Sequence, residues 1–247
     1  MSEFIDLLQF PVSVILAVSY TLLVWLLHHK AGKTGLVRSL AGWKAGAISM
    51  SVVAAMMAVE GTWGIDIHET VPFFIAALVL QLCLELAILE RLSGKAATKK
   101  TTFIITHLGM YLIVWASFWG APDVIKSQIP AGYNDELDIA LREDGNVVAL
   151  PFSIKLENFE IDTYDDGMSP RQYTSSIIVR DKSKEETRHL KTSVNHPCSY
   201  RGYRIYQSGY DTEMGRYSVL QVVRDRWLPI VYLGMLLILI GSSIMLA

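Results

Sequence analysis

The chain has 247 residues, 51% of them hydrophobic and 19% charged, with a mean hydropathy of +0.33. A soluble domain carries nearer a quarter charged residues, and the shortfall is local, because 14 of the 22 Lys and Arg residues lie between Ala121 and Arg226. That split excludes one uniform soluble domain, and a formal net charge of −2 gives no bulk attraction to nucleic acid.

Crossing about 30 Å of hydrocarbon takes roughly 20 apolar residues in a helix. Five stretches meet that demand: Phe10 to Leu27, Trp43 to Val59, Val71 to Leu89, Thr102 to Trp119, and Trp227 to Ala247. The first has no basic segment before it and no small-residue cleavage site after it, so it reads as a retained helix rather than a secretory signal. The second, AGAISMSVVAAMMAV, is rich in Ala, Ser and Gly, which suits close packing inside a bundle better than lipid exposure.

Loop charges set the expected direction. Lys30, Lys33, Arg38 and Lys44 follow the first span, and Arg91, Lys95, Lys99 and Lys100 follow the third. The first ten residues and the loop EGTWGIDIHET hold no Lys or Arg, only Glu3, Asp6, Glu60, Asp66 and Glu69. The positive-inside rule places the N-terminus outside, both basic loops in the cytoplasm and the polar domain outside. Trp43, Trp63, Trp119 and Trp227 fall where interfacial aromatic belts are expected. The expected organisation is four spans in residues 1–120, an extracytoplasmic domain in 121–226 and a fifth span in 227–247, in the inner (cytoplasmic) membrane.

Within the polar domain the hydrophobic period changes to two. FSIKLENFEIDTY alternates Phe152, Ile154 and Leu156 with polar residues, and Phe159 and Ile161 continue in shifted register after Asn158. YTSSIIVRD, TRHLKTSV, YRIYQSGY and RYSVLQVV also read as strands, punctuated by DDGMSP, VNHP, YRG and DTEMG. Short strands with such turns predict an antiparallel β-sandwich-like domain or open barrel. The fold class expected is therefore a membrane protein with a five-helix transmembrane bundle and one extracytoplasmic antiparallel β-sandwich-like domain.

The two cysteines, Cys83 in an apolar stretch and Cys198 in the polar domain, exclude a disulfide framework or a Cys-only metal site within the chain. Of six histidines, His28 and His29 sit at a predicted interface, His68 in a short loop and His189 in a charged strand, all positions where a solvated side chain suffices. His107 differs, because it lies about five residues, or roughly 7.5 Å, inside the fourth span. Ionisable groups at membrane depth are costly and point to function. Glu85 lies at matching depth on the preceding antiparallel helix. A carboxylate accepting the imidazole Nδ1 proton would leave Nε2 for a metal or haem iron; a His–Glu pair that only joins two helices is the alternative. Gln81 and Cys83 on the same helix are candidate polar glue. His196 in VNHP reads first as turn chemistry. Tyr200, Tyr203, Tyr206 and Tyr210 follow it, with Arg201 and Arg204, a composition that grips flat or anionic ligands or partners and also occurs in ordinary strands. No GxGxxG, P-loop, HExxH or nucleophile-elbow signature is present, and no CxxCH for covalent haem.

The segments LPFSIKLENFEIDTYDDGMSPRQYTSSIIVRD, VNHPCSYRGYRIYQSGYD and VVRDRWLPIVYLGMLLILIGSSIML resemble the ResB family of cytochrome c biogenesis proteins. Pro151 to Ser175, Asn195 to Tyr210 and Asp225 to Gly234 carry the likeness; upstream, VEGTWG and VPFFIAALVLQL are similar to that family's GT element and the helix after it, and THLGMYLI to its HxG helix. The chain departs from the family in a compact outer domain, an additional first span, and Arg226 where Pro usually follows Asp.

The resemblance implies the system II route, in which ResB-type and CcsA-type membrane proteins move haem outward and join it to CxxCH motifs of secreted apocytochromes. His107 falls on the family's transmembrane haem ligand, with Glu85 as a possible supporting group, and the cargo would be non-covalent haem b. The second axial histidine and the Trp-rich haem-handling motif belong to the CcsA-type partner, so this chain would be a component of a holocytochrome c synthase, not a complete one. Asn195, His196, Tyr206, Gln207 and Tyr210 are the candidate contacts for partner or apocytochrome. Two other readings stay open: a structural assembly factor that binds no haem, and a membrane redox subunit between quinone and haem.

Overall fold

The structure is a computed structural model that describes residues 9–32, 34–93, 100–142, 145–165, 169–184, 186–212 and 216–246. Glu3, Asp6, Lys33, Lys95, Lys99, parts of the DDGMSP and DTEMG turns and Ala247 lie outside the described residues. Two compact units emerge: a helical one that ends at Asp123 and resumes at Trp227, and a sheet unit, Val124–Arg226.

The helical unit contains α1 (Val12–Ala31), α2 (Gly35–Leu40), α3 (Trp43–Trp63), α4 (Val71–Ser93), α5 (Lys100–Gly120) and α6 (Leu228–Leu246). All but the short α2 are long and apolar enough to cross a membrane, giving a multi-pass membrane protein. Most of these helices run past the apolar stretches seen in the sequence, because their ends carry Trp and charged residues that suit the headgroup region. Thr34 caps α2, its hydroxyl accepting from the Val37 N–H at 3.4 Å. Gly64, with φ +63°, ends α3 in the left-handed conformation and donates its N–H to the Glu60 carbonyl at 2.9 Å.

α5 and α6 pack with their backbones nearly touching. A Cβ on Gly109 would stand 2.6 Å from the Gly234 carbonyl oxygen, and one on Gly234 would stand 2.7 Å from that of Gly109. Small residues at the seam are what lets two membrane helices approach this closely. α4 is packed through Leu80, Leu84 and Ile88 against Tyr111 of α5. The expectation for the Ala/Ser/Gly-rich second span needs correcting, since Ser49 is the only buried residue that α3 contributes. Its small side chains are mostly open to the surroundings, because α3 rests on α4 along one side only.

The sheet unit is a single eight-stranded antiparallel sheet in the order β5-β4-β3-β2-β1-β8-β7-β6. Its strands are β1 (Ile125–Gly132), β2 (Leu137–Arg142), β3 (Val147–Thr163), β4 (Pro170–Asp181), β5 (Thr187–Ser193), β6 (Cys198–Tyr200), β7 (Tyr203–Tyr210) and β8 (Tyr217–Arg224). Alternation dictates the core: Ile129 and Ala131 from β1, Leu150, Phe152, Ile154 and Leu156 from β3, Ile177 and Val179 from β4, and Leu220 and Val222 from β8. The sheet curls on itself, so that the Thr192 hydroxyl on β5 reaches the Ile205 carbonyl on β7 at 2.8 Å. Antiparallel pairing and alternating burial are as expected, and the one continuous curled sheet is the open-barrel form of that expectation. The register shift anticipated at Asn158 is a bulge between Leu156 and Asn158 against β4.

Candidate functional site

α4 and α5 lie antiparallel, and two cross-bonds set their register. Tyr111 Oη donates to Glu85 Oε2 at 3.0 Å, and Trp119 Nε1 donates to Gln81 Oε1 at 2.9 Å. Glu85 and Gln81 are one turn apart on α4, Tyr111 and Trp119 two turns apart on α5, so both pairs face the same seam. Glu85 is buried, and the Thr21 hydroxyl of α1 stands 2.9 Å from the Tyr111 hydroxyl, extending the bonding to a third helix. Gln81 and Glu85 thus join helices, as polar groups in apolar bundles do.

His107 occupies the same face of α5 one turn before Tyr111. Its Nδ1 lies 2.9 Å from the Phe103 carbonyl oxygen, on its own helix, and among the described residues no hydrogen bond joins it to Glu85. The acceptor of Nδ1 is therefore a backbone carbonyl rather than Glu85, which accepts from Tyr111 instead. The chemical result is unchanged. A carbonyl accepts only, so Nδ1 carries the proton and Nε2 presents its lone pair. No hydrogen bond reaches Nε2 among the described residues, and the ring is half-buried rather than sealed in the bundle.

The imidazole stacks on Phe103, with centroids 3.7 Å apart and planes 19° from parallel. The Arg91 guanidinium, from the last turn of α4, lies 5.2 Å from the same Phe103 ring. Arg91 Nε is buried with no hydrogen-bond partner among the described residues, and no ion pair reaches this side chain there. Sequence reasoning counted Arg91 only as a topogenic loop charge; the signal available was its place within the apolar periodicity of LELAILERL.

The side chains around His107 fit an iron porphyrin by their donor chemistry: one imidazole whose Nε2 takes no hydrogen bond among the described residues, an aromatic ring stacked on it, and a part-buried guanidinium close by. No cluster of three or more His, Cys, Asp or Glu exists among the described residues, so a bare metal ion has no equivalent cage. Of the other histidines, His68 and His189 are exposed beside Glu60 at 2.8 Å and Glu157 at 3.1 Å, whereas His28 is part-buried with Nε2 3.2 Å from Glu90.

In the sheet unit, the Asn195 to Tyr210 block is engaged mainly in building the fold. Asn195 has φ +66°, and the two-residue turn Arg201–Gly202 has φ +49° and +80°, a type I′ hairpin between β6 and β7. Arg201 Nη1 donates to Asp181 Oδ2 at 2.6 Å and Tyr200 Oη to the same oxygen at 3.2 Å. Tyr200 and Tyr203 meet Phe152 edge-on at 5.3 and 5.2 Å. Gln207 Oε1 accepts from Ser175 Oγ at 2.6 Å and Ser218 Oγ at 3.1 Å, and Tyr210 packs between Phe159 and Tyr173. Tyr206 is half-buried, and Asn195 and His196 are exposed. Burial pushes the Cys198 thiol up to about 11, so it is no ready nucleophile.

The protein combines a multi-pass helical bundle with a separate antiparallel sheet unit. The ResB-like family matches residues 92–216, half of the chain, and the protein belongs to that family. Protein NrfI of Wolinella succinogenes is 31% identical over 107 residues, covering 43% of this chain and 12% of NrfI. Cytochrome c biogenesis protein CcsB of Synechococcus sp. (strain JA-3-3Ab) is 32% identical over 113 residues, covering 44% of this chain and 23% of CcsB. The chain thus matches under a quarter of the length of these relatives. Among solved structures, Cytochrome c Heme Lyase CcmF aligns with 78% of this chain and 33% of its own, at a TM-score of 0.42 and 11% identity.

Proposed function

We propose that this protein handles haem during cytochrome c biogenesis, as one subunit of a two-protein system II cytochrome c synthase. The observation that carries the reading is His107, whose Nδ1 is held by the Phe103 carbonyl at 2.9 Å while Nε2 is left for iron. The cargo is haem b, and the half-open ring calls for a second protein to close the site. A CcsA-type membrane protein would supply that wall and a second histidine for the iron. Glu85 supports the site indirectly, by fixing Tyr111 one turn along α5. The bundle lies in the inner membrane with the sheet unit on the extracytoplasmic side, following the charges of the loops. Exposed Asn195 and His196, with half-buried Tyr206, are the contacts this unit offers to partner or apocytochrome; Gln207 and Tyr210 act by shaping the surface around them. Names of relatives such as CcsB agree with this role.

The test is an absorption spectrum of the chain purified with its membrane partner. Wild type is expected to show a b-type haem band that falls sharply in His107→Ala. Full haem retention in that variant, with c-type cytochromes still matured, would leave only a scaffold.

A further inference from the structure

The mechanism above makes no use of Arg91, yet Arg91 and His107 share Phe103. The guanidinium stands 5.2 Å from the ring centroid and the imidazole 3.7 Å from it, so cation and iron-binding ring are no farther apart than those spacings combined. An arginine in the last turn of a spanning helix, with a buried Nε, ordinarily answers a carboxylate or another acceptor. Glu85 is already engaged by Tyr111, Glu90 lies 3.2 Å from His28, and no ion pair of Arg91 exists among the described residues. Its Nε is nevertheless buried, which costs free energy unless an acceptor is supplied. A planar guanidinium donates in a fork that matches two oxygens of a carboxylate or phosphate.

We infer that Arg91 is an anion-binding residue that receives a haem propionate while His107 holds the iron. The inference rests on the proposed haem function and adds the part of the cargo that is recognised besides its metal. An imidazole alone accepts any iron porphyrin, whereas Arg91 selects one with a free carboxylate on its rim and fixes its rotation about the axial bond. Phe103 keeps the two groups at a set spacing, stacking on one and lying under the other. A phospholipid headgroup could supply the same acceptor chemistry; the buried Nε and the shared ring favour the cargo.

The experiment titrates the purified complex, freed of haem, with haem and with haem dimethyl ester, whose propionates are capped. Wild type is expected to prefer the free acid by about tenfold or more, the scale of a lost hydrogen bond to a charged group. Arg91→Gln should bind both forms equally, with the b-type band retained, and Arg91→Lys should recover part of the preference. Phe103→Leu keeps the carbonyl that bonds Nδ1 and should weaken the preference in the same direction, guarding against a folding artefact at Arg91. An unchanged preference in Arg91→Gln overturns the inference while leaving the haem function standing. An effect that follows the anionic lipid content of the nanodisc rather than esterification overturns it in favour of a headgroup. If His107→Ala keeps its haem while Arg91→Gln loses the preference, the axial assignment fails and the anion site stands. Absence of haem from wild type ends both.

Discussion

Asp181 shows how one side chain organises the most patterned part of the sheet unit. It is 2% exposed, and its carboxylate accepts from the Ser183 N–H and hydroxyl at 2.7 Å each, from Tyr200 and from Arg201. The Ser183 bonds foremost, helped by the Arg201 guanidinium, hold its carboxyl down at about 2. Because the folded value lies below the ordinary aspartate value near 3.9, the stabilisation is complete above that value and fades as pH falls toward about 2. The thermal midpoint of the β-signal in circular dichroism should therefore drop through that window. Asp181→Asn should show a lower midpoint at neutral pH and a flatter acid limb; an unaltered acid limb would mean that other carboxylates govern it. Nothing in VRDKSKEE marks Asp181 as buried: its bonds to Ser183 are local, but Tyr200 and Arg201, which cover it, come from a hairpin about twenty residues on. His107, by contrast, stands out in sequence because hydrocarbon depth makes any imidazole conspicuous. Its true acceptor did not, because a backbone carbonyl has no residue type to read.

At the scale of elements, period and length decided most of what could be foreseen. The five apolar stretches and the strands β3, β4, β5, β7 and β8 announce themselves by hydrophobic pattern. β1, β2 and β6 were missed, the first and last of them for identifiable reasons. IKSQIPAG contains Pro130 and Gly132, which ordinarily end strands, and β6 spans only Cys198–Tyr200. β3 was read from Phe152 but begins at Val147, where exposed and buried residues alternate around Pro151. Helix pairing was less legible, because hydropathy gives a span but not its neighbour. The Gly109–Gly234 contact between α5 and α6 could be found only in three dimensions. Gly234→Val would drive a side chain into the Gly109 carbonyl and Ile113. A loss of about 1–3 kcal/mol is expected from such overpacking, read as a lower thermal midpoint in detergent, with a weaker haem band because α5 carries His107. In the sheet unit, Gln207→Leu removes the acceptor shared by buried Ser175 and Ser218. It should cost about 1–3 kcal/mol in the same β-signal while sparing that band.

For the molecule as a whole, the feature with the widest reach is Asp123. Oδ1 accepts the Phe10 N–H at 2.6 Å, and Oδ2 accepts from Ser13 Oγ at 2.8 Å and from Trp227 Nε1 at 2.6 Å. Trp227 also lies over Gly120, where a Cβ would meet its ring atoms at 2.4 Å. The last residue of the helical unit before the sheet and the first one after it are thus bonded to each other. Topologically, everything between them is a cassette whose two attachment points are already bonded, and each doubling of its length adds only about 0.6 kcal/mol to the cost of closing it. Exchanging the cassette for a brief Gly-Ser connector should leave a helical frame that still migrates as a monodisperse particle with its partner, whereas Asp123→Ala should loosen that frame with the cassette in place. Such a joint lets one helical scaffold carry inserted modules of very different size, each free to change without renegotiating the packing of the spans.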